Sequence, residues 1–481
     1  MDRDPADLCS TSARELARLL RARRVSAREV VGAHLARIAA VNPSLNAIVT
    51  LCADTALARA ADLDQQIVRA GPVGALHGLP IAHKDLVDTA GVRTTYGSLL
   101  FANHVPTRDH LLVERTRAAG AVMMGKTNTP EFGMGSQTHN RIFGATRNPH
   151  DPSRTSGGST GGGASALASG MIAIADGSDL GGSLRNPASF CNVVGLRPSP
   201  GRVPDVPSSS AWFDLAVLGP MARTVDDSAL LLSTLAGPDL RAPGCLPEEG
   251  RHFDRDLGRD FRGVRVAFGR DLGGLPFEPE VLAGVRAQLP VFERLGCQVE
   301  EAEPDLQDAD RIFEILRGWQ VAADLGGIVA EDDQRVAPMV RENLAYGRTV
   351  TAQDLAWAQQ RRSVLVERAG AFFAAHEFWV VPVSQVLPFD LTVPWVRSIA
   401  GEPMSNYLTW MRSCSRISTL AAPAISVPAT VSSNGLPIGI QIVGRPRDDL
   451  GVLQLARAFE EAVADARPRP RGEGVMPPST P

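Results

Sequence analysis

Two serines, Ser159 and Ser183, lie 24 residues apart in the stretch TSGGSTGGGASALASGMIAIADGSDLGGSLRNP at 155–187, each set among glycines. A strand ending in Asp176-Gly-Ser-Asp-Leu-Gly-Gly-Ser183 brings consecutive backbone N–H groups beside a hydroxyl, a geometry that suits an anion next to a nucleophile. Glycine permits it, because it tolerates positive φ and lets a substrate approach the backbone. A serine is a weak nucleophile until a neighbour takes its proton. Of the 49 lysines plus arginines, two are lysines, Lys84 and Lys126. Arginine does not accept a proton in a protein, whereas desolvation can leave a buried lysine neutral near pH 7. Lys84 is flanked by apolar Pro80, Ile81, Ala82 and Leu86, which makes it the candidate base. The chemistry these residues suggest is hydrolysis of an amide-type bond.

Other readings of the same residues fit less well. Gly157-x-Ser159-x-Gly161 has the form of a nucleophile elbow, which needs a hydrophobic strand directly before it. Here the preceding residues are a polar, twice proline-interrupted loop at 147–156. A phosphate-binding loop would need Gly-Lys, and Gly163 is followed by Ala164. A dinucleotide fold would also want a leading strand. A flexible Gly/Ser loop is the plain structural alternative. The nine histidines include His77, His83, His104 and His110 but no HExxH pair, so metal hydrolysis has little support. Cys191 is an alternative nucleophile, although a free cysteine is more often core packing.

The elements that must position these groups follow from periodicity and punctuation. Two amphipathic helices open the chain, each with a capping-box signature, Ser12 with Glu15 and Ser26 with Glu29. A strand is expected at 48–51 and a helix at 55–70. Apolar runs at 78–88, 120–125 and 171–175 alternate with helices at about 111–119 and 163–170, which argues for a largely parallel sheet covered on both faces. Residues 236–262 are polar, Gly/Pro-rich and unpatterned, and read as an excursion or linker. The region 305–375 is mostly helical. The irregular 388–410 segment, with Trp395, Met404, Tyr407 and Trp410, is either core, a lid, or the wall of an apolar pocket. Segments 424–429 and 438–443 form a strand pair around Asn434-Gly435.

Composition bounds the partners. A net charge of −4 gives no footprint for nucleic acid. No apolar run reaches the roughly 18 residues of a membrane span, and the polar start is no secretory signal. Six scattered cysteines without a CxxC read as reduced thiols in a cytoplasmic protein.

Four ordered motifs carry a family resemblance: GLPIAHKDL around Lys84, GKTNTPEF at 125–132, GGSTGG at 157–162 and DLGGSLRNPA at 179–188. Together they resemble the amidase signature family over roughly residues 10–465. The resemblance implies an α/β fold, a single large α/β/α domain around a mixed, mainly parallel sheet. N-terminal helices over 1–60 would pack on the core. The domain would span 61–465, with a helical or irregular substrate-pocket insertion at about 305–420 and a disordered tail at 466–481.

By position, the resemblance implies Ser183 as nucleophile, Ser159 as the serine on a cis peptide bond that relays a proton, and Lys84 as base. It implies an oxyanion hole from the N–H groups of Leu180, Gly181, Gly182 and Ser183, and an acyl pocket touching Gly133 and Met134. Asp179 and Arg185 would pair to hold the loop, and Lys126 and Glu131 would be scaffold. Thr160 stands where the family commonly has serine, adding a methyl to a tight loop.

No metal and no cofactor is implied. The expected partner is a small-molecule amide or carbamate, without nucleic acid or membrane, for a monomer or homodimer. The resemblance leaves open a partly apolar linear amide, a carbamate (urethanase activity), an aryl amide or nylon-type oligomer, or an ester. A glutaminase subunit of a tRNA-dependent amidotransferase is the remaining alternative. That branch usually carries a Tyr-Gly-Arg-Val-Ser run where this chain has Ser199-Pro-Gly-Arg-Val-Pro204.

Overall fold

The computed structural model describes residues 5–330 and 332–464, so the expected tail at 466–481 lies outside the described residues. Among them, eleven strands form one sheet. The first six are β1 (Ile48–Leu51), β2 (Pro80–Lys84), β3 (Val122–Thr127), β4 (Ile174–Asp179), β5 (Val194–Arg197) and β6 (Val217–Ala222). The others are β7 (Arg265–Phe268), β8 (Gln298–Glu301), β9 (Phe378–Pro382), β10 (Ala424–Val431) and β11 (Pro437–Gly444). Their spatial order is β1-β3-β2-β4-β6-β5-β10-β11-β9-β7-β8.

The sheet is mixed, and its two kinds of pairing are segregated. β3, β2 and β4 run parallel near one end, and β9, β7 and β8 run parallel at the other. The middle, from β4 through β6, β5, β10 and β11 to β9, is antiparallel, as is the edge pair β1–β3. The strand–helix alternation that argued for parallel pairing therefore describes the flanks and not the centre. There the connections are of other kinds, such as the hairpin between β10 and β11 around Asn434-Gly435.

Side chains alternate across a strand, and the apolar clusters show it. Phe378 and Val380 of β9 belong to one core cluster, while Trp379 and Val381 belong to the cluster on the other face. Helices cover both faces. Ser12 caps the helix Ala13–Arg21, and Ser26 closes a full capping box on Ala27–Leu45. Leu16, Leu20, Val31 and Ile38 of these helices are buried in the larger core. The segment at 236–262 is no linker: Phe253, Leu257 and Phe261 are sunk into the same core. Its anchors sit four apart, Phe253 closing the 3-10 helix Gly250–Phe253 and the other two in irregular chain, a spacing that strand periodicity does not flag and that surrounding Gly and Pro obscure.

Three helices, Ala309–Leu325, Pro338–Thr349 and Ala352–Ala375, form the helical region expected after residue 305. No described helix is long and apolar enough to cross a membrane. All six cysteines are free.

Candidate active site

Parallel pairing puts the C-terminal ends of β2 and β4 side by side, and the candidate chemistry sits there. Lys84 is the last residue of β2, and Ser178 and Asp179 end β4. The chain enters the helix Gly161–Ala168 immediately after Ser159 and Thr160, so both hydroxyls arrive at a fixed helix start. The Gly158–Ser159 peptide bond is cis. Lys84 is fully buried. Its Nζ donates to Ser159 Oγ at 2.7 Å, Thr160 Oγ1 at 3.0 Å and Ser178 Oγ at 3.0 Å. Three neutral oxygens thus meet the amine's three donor directions, and no carboxylate does. Desolvation lowers its pKa to about 7, against the more distant pull of Asp179 and Asp176.

Ser183 and Ser159 open into one cavity of about 460 Å³, which Ser178, Leu180, Gly181, Gly133 and Met134 also line. The Thr160 N–H donates to the Ser183 carbonyl at 3.1 Å, tying the two serine loops together. Of the four N–H groups expected to form an anion hole, that of Gly182 is already engaged: it donates to Asp179 Oδ1 at 2.9 Å. Those of Leu180, Gly181 and Ser183 donate to no protein acceptor among the described residues. Gly182 instead serves the turn. Its φ of +120° is one L side chains rarely adopt, and a Cβ there would lie 2.5 Å from Asn186 Nδ2.

Asp179 holds the loop. Its carboxylate takes two bonds from Arg185, Nη2 to Oδ1 at 2.8 Å and Nε to Oδ2 at 3.0 Å, and a further one from Arg197 at 3.3 Å, all at zero exposure. Burial alone would raise its pKa; Arg185, Arg197 and the Gly182 N–H outweigh that and hold it far below the usual carboxylate range. Arg185 continues to Gln441 Oε1 at 2.6 Å, the Cys414 carbonyl and Ser418 Oγ. Asp179→Asn would leave two buried guanidinium groups facing a neutral amide. We expect it to lower unfolding stability by about 3–5 kcal/mol, read from urea denaturation. An unchanged midpoint would show that the pair does not anchor the loop.

The added methyl of Thr160 has a seat. Gly177 and Gly163 face it without side chains; a Cβ at Gly177 would lie 2.6 Å from Thr160 Cγ2. Sequence reasoning missed Ser178, whose place two residues after Asp176 in a strand heading for the loop was the available sign. It also missed the buried contact of His83 Nδ1 with Asp176 Oδ2, whose Oδ1 accepts the Lys84 N–H at 3.2 Å. Lys126 is spent on scaffold: its amine binds the Val87 carbonyl and Thr89 Oγ1, away from either serine. Glu131 likewise joins Ser98 Oγ to the Ala337 N–H. Burial pushes the Cys191 thiol well up, and it faces the Ser156 carbonyl. Trp410 is core, stacked on Phe190 at 6.0 Å, while Tyr407, Leu408 and Met411 beside it line the cavity. No group of three His, Cys, Asp or Glu side chains suited to a metal occurs among the described residues.

The Amidase family model matches residues 29–453. The chain belongs to the amidase signature family. Among curated proteins of the family it is 35% identical to a glutamyl-tRNA(Gln) amidotransferase subunit from Synechococcus sp. (strain CC9605), over 93% of this chain and 95% of that one. Among solved structures it superposes on a bacterial aryl acylamidase with a TM-score of 0.86, at 28% identity over 94% of this chain and 96% of that one. A 6-aminohexanoate cyclic dimer hydrolase gives a TM-score of 0.87 at 28% identity, covering 97% and 99%. The corresponding glutamyl-tRNA(Gln) amidotransferase subunit from Thermotoga maritima gives 0.77 at 25% identity, covering 98% and 99%.

Proposed function

We propose that this amidase signature protein is a serine amidohydrolase that cleaves a small to medium, partly apolar amide through an acyl-enzyme on Ser183. One observation carries the reading: a fully buried amine, Lys84, is surrounded by hydroxyls beside the cavity that also receives Ser183. Neutral Lys84 takes the proton of Ser159 as Ser159 takes that of Ser183, whose oxygen adds to the amide carbon. The resulting oxyanion is met by the N–H groups of Leu180, Gly181 and Ser183. Collapse breaks the C–N bond, and the relay returns the proton to the departing nitrogen. Water then repeats the sequence on the acyl-enzyme, releasing the acid. The apolar walls, including Phe132, Met134, Phe313 and Met411, suit an acyl or aryl group, and carbamate and ester cleavage fall within the same chemistry.

The names of the curated relatives favour a second reading, a glutaminase subunit working in an amidotransferase assembly with protein partners. The better superposition on the aryl acylamidase and the cyclic dimer hydrolase supports the first reading. The purified chain alone, given aryl amides, carbamates, esters and glutamine, is expected to hydrolyse the aryl and alkyl amides. Glutamine cleavage that appears only with co-purifying subunits would overturn this in favour of the assembly.

The pH profile follows from the lowered pKa of Lys84. Below about 7 the amine is protonated and accepts nothing, so kcat/KM is expected to fall about tenfold per pH unit there and to level off above. A flat profile from pH 5 to 9 would remove Lys84 as the base.

A further inference from the structure

One wall of the active-site cavity carries a charge that its function as a wall does not require. The helix Ala309–Leu325 presents Phe313, Arg317, Gln320 and Asp324 to the cavity. Phe313 packs on the nucleophile loop, since a Cβ on Gly181 would lie 2.8 Å from its Cζ. Arg317 follows about one turn later, about 6 Å along the axis.

Five arginines are buried among the described residues, and four are neutralised: Arg185 and Arg197 by Asp179, Arg202 by Asp449 and Arg362 by Asp214. Arg317 is the exception. It is 6% exposed and donates to Asn343 Oδ1 at 2.6 Å and to the Tyr407 hydroxyl, both neutral. No carboxylate of the described residues stands at ion-pairing distance from it. Asp324, the acid of the same wall, is engaged by Gln320 Nε2 at 2.8 Å and by the Ser209 hydroxyl. A guanidinium held out of water without a counter-charge is costly unless something supplies one. Gln320 Oε1 is also buried without a partner, and its residue lines the same cavity.

We infer that Arg317 is a carboxylate-binding residue of the substrate site, and that the substrates are amides bearing a carboxylate a few atoms from the scissile bond. Arginine's planar fork fits a carboxylate in two parallel bonds, and Asn343 and Tyr407 fix the fork in place. Gln320 Oε1 is then available for a substrate N–H. This inference rests on the hydrolase reading above and names its substrate class.

The test compares two matched pairs: the 4-nitroanilides of succinic and butanoic acid, and N-butanoyl-β-alanine against N-butanoyl-propylamine. The first pair puts the charge on the acyl side, the second on the amine side. The acidic member of one pair is expected to have a kcat/KM roughly 10- to 100-fold higher than its neutral partner. Arg317→Leu is expected to erase that preference, mainly through KM, and leave the neutral compound within about threefold. Arg317→Lys should restore part of it. Glutarate binding, measured by calorimetry on Ser183→Ala protein, should vanish when Arg317→Leu is added. No acid preference with no glutarate binding, or equal losses on acidic and neutral compounds in Arg317→Leu, would overturn the subsite. Glutarate binding that depends on Arg317, with none of the four amides cleaved, would overturn the hydrolase reading and leave the subsite standing.

Discussion

Ser183→Ala is expected to lower kcat for every amide, carbamate and ester substrate by at least about 10³-fold, while the protein stays folded. The side chain that is lost makes no hydrogen bond to another described residue and faces the cavity, so alanine leaves no buried partner unsatisfied. Near-identical circular dichroism and a melting temperature within a few degrees of the wild type are therefore expected alongside the loss. The residual rate would measure what binding and the N–H groups of Leu180, Gly181 and Ser183 achieve unaided. A variant keeping a tenth or more of wild-type turnover would remove Ser183 as nucleophile and direct attention to Ser159, which shares the cavity.

Lys84→Met should be nearly as damaging, again by about 10³-fold or more, because it removes the only amine within reach of the serine pair among the described residues. Methionine matches the apolar stem, so the comparison isolates the base from the packing. Lys84→Arg gives the sharper contrast. A guanidinium keeps its proton at every working pH, so activity should not recover when the pH is raised to 10. The rate at which a fluorophosphonate labels Ser183 reads the same property without turnover and should fall in both variants. Normal labelling in Lys84→Met would show that the nucleophile is activated by something else.

Both changes also test how much of the site was legible from sequence. The scarcity of lysine singled out Lys84, and the glycine-flanked serines were visible as types. Hydrophobic spacing and caps located the N-terminal helices and most strands, because those patterns record each residue's local environment. Segment 236–262 escaped because its buried residues, Phe253, Leu257 and Phe261, stand singly among Gly, Pro and charged neighbours and lie outside any α-helix or strand. That the Gly182 N–H is engaged by Asp179 was not legible, because a run of glycines does not say which N–H a neighbouring carboxylate will take.

What the sequence determined by itself is the chemical inventory: which hydroxyls, which amine, and which glycines allow the backbone near them. The tertiary structure decided their company. Lys84 and Ser159 are 75 positions apart, and Arg317 and Tyr407 are 90 apart. Each pair meets because of strand order and helix placement, which depend on how whole elements pack. The antiparallel centre of the sheet and the uncompensated charge of Arg317 belong to the same level. A local pattern records that a residue is buried, but its partner and the balance of charge around it exist only once distant segments share one interior.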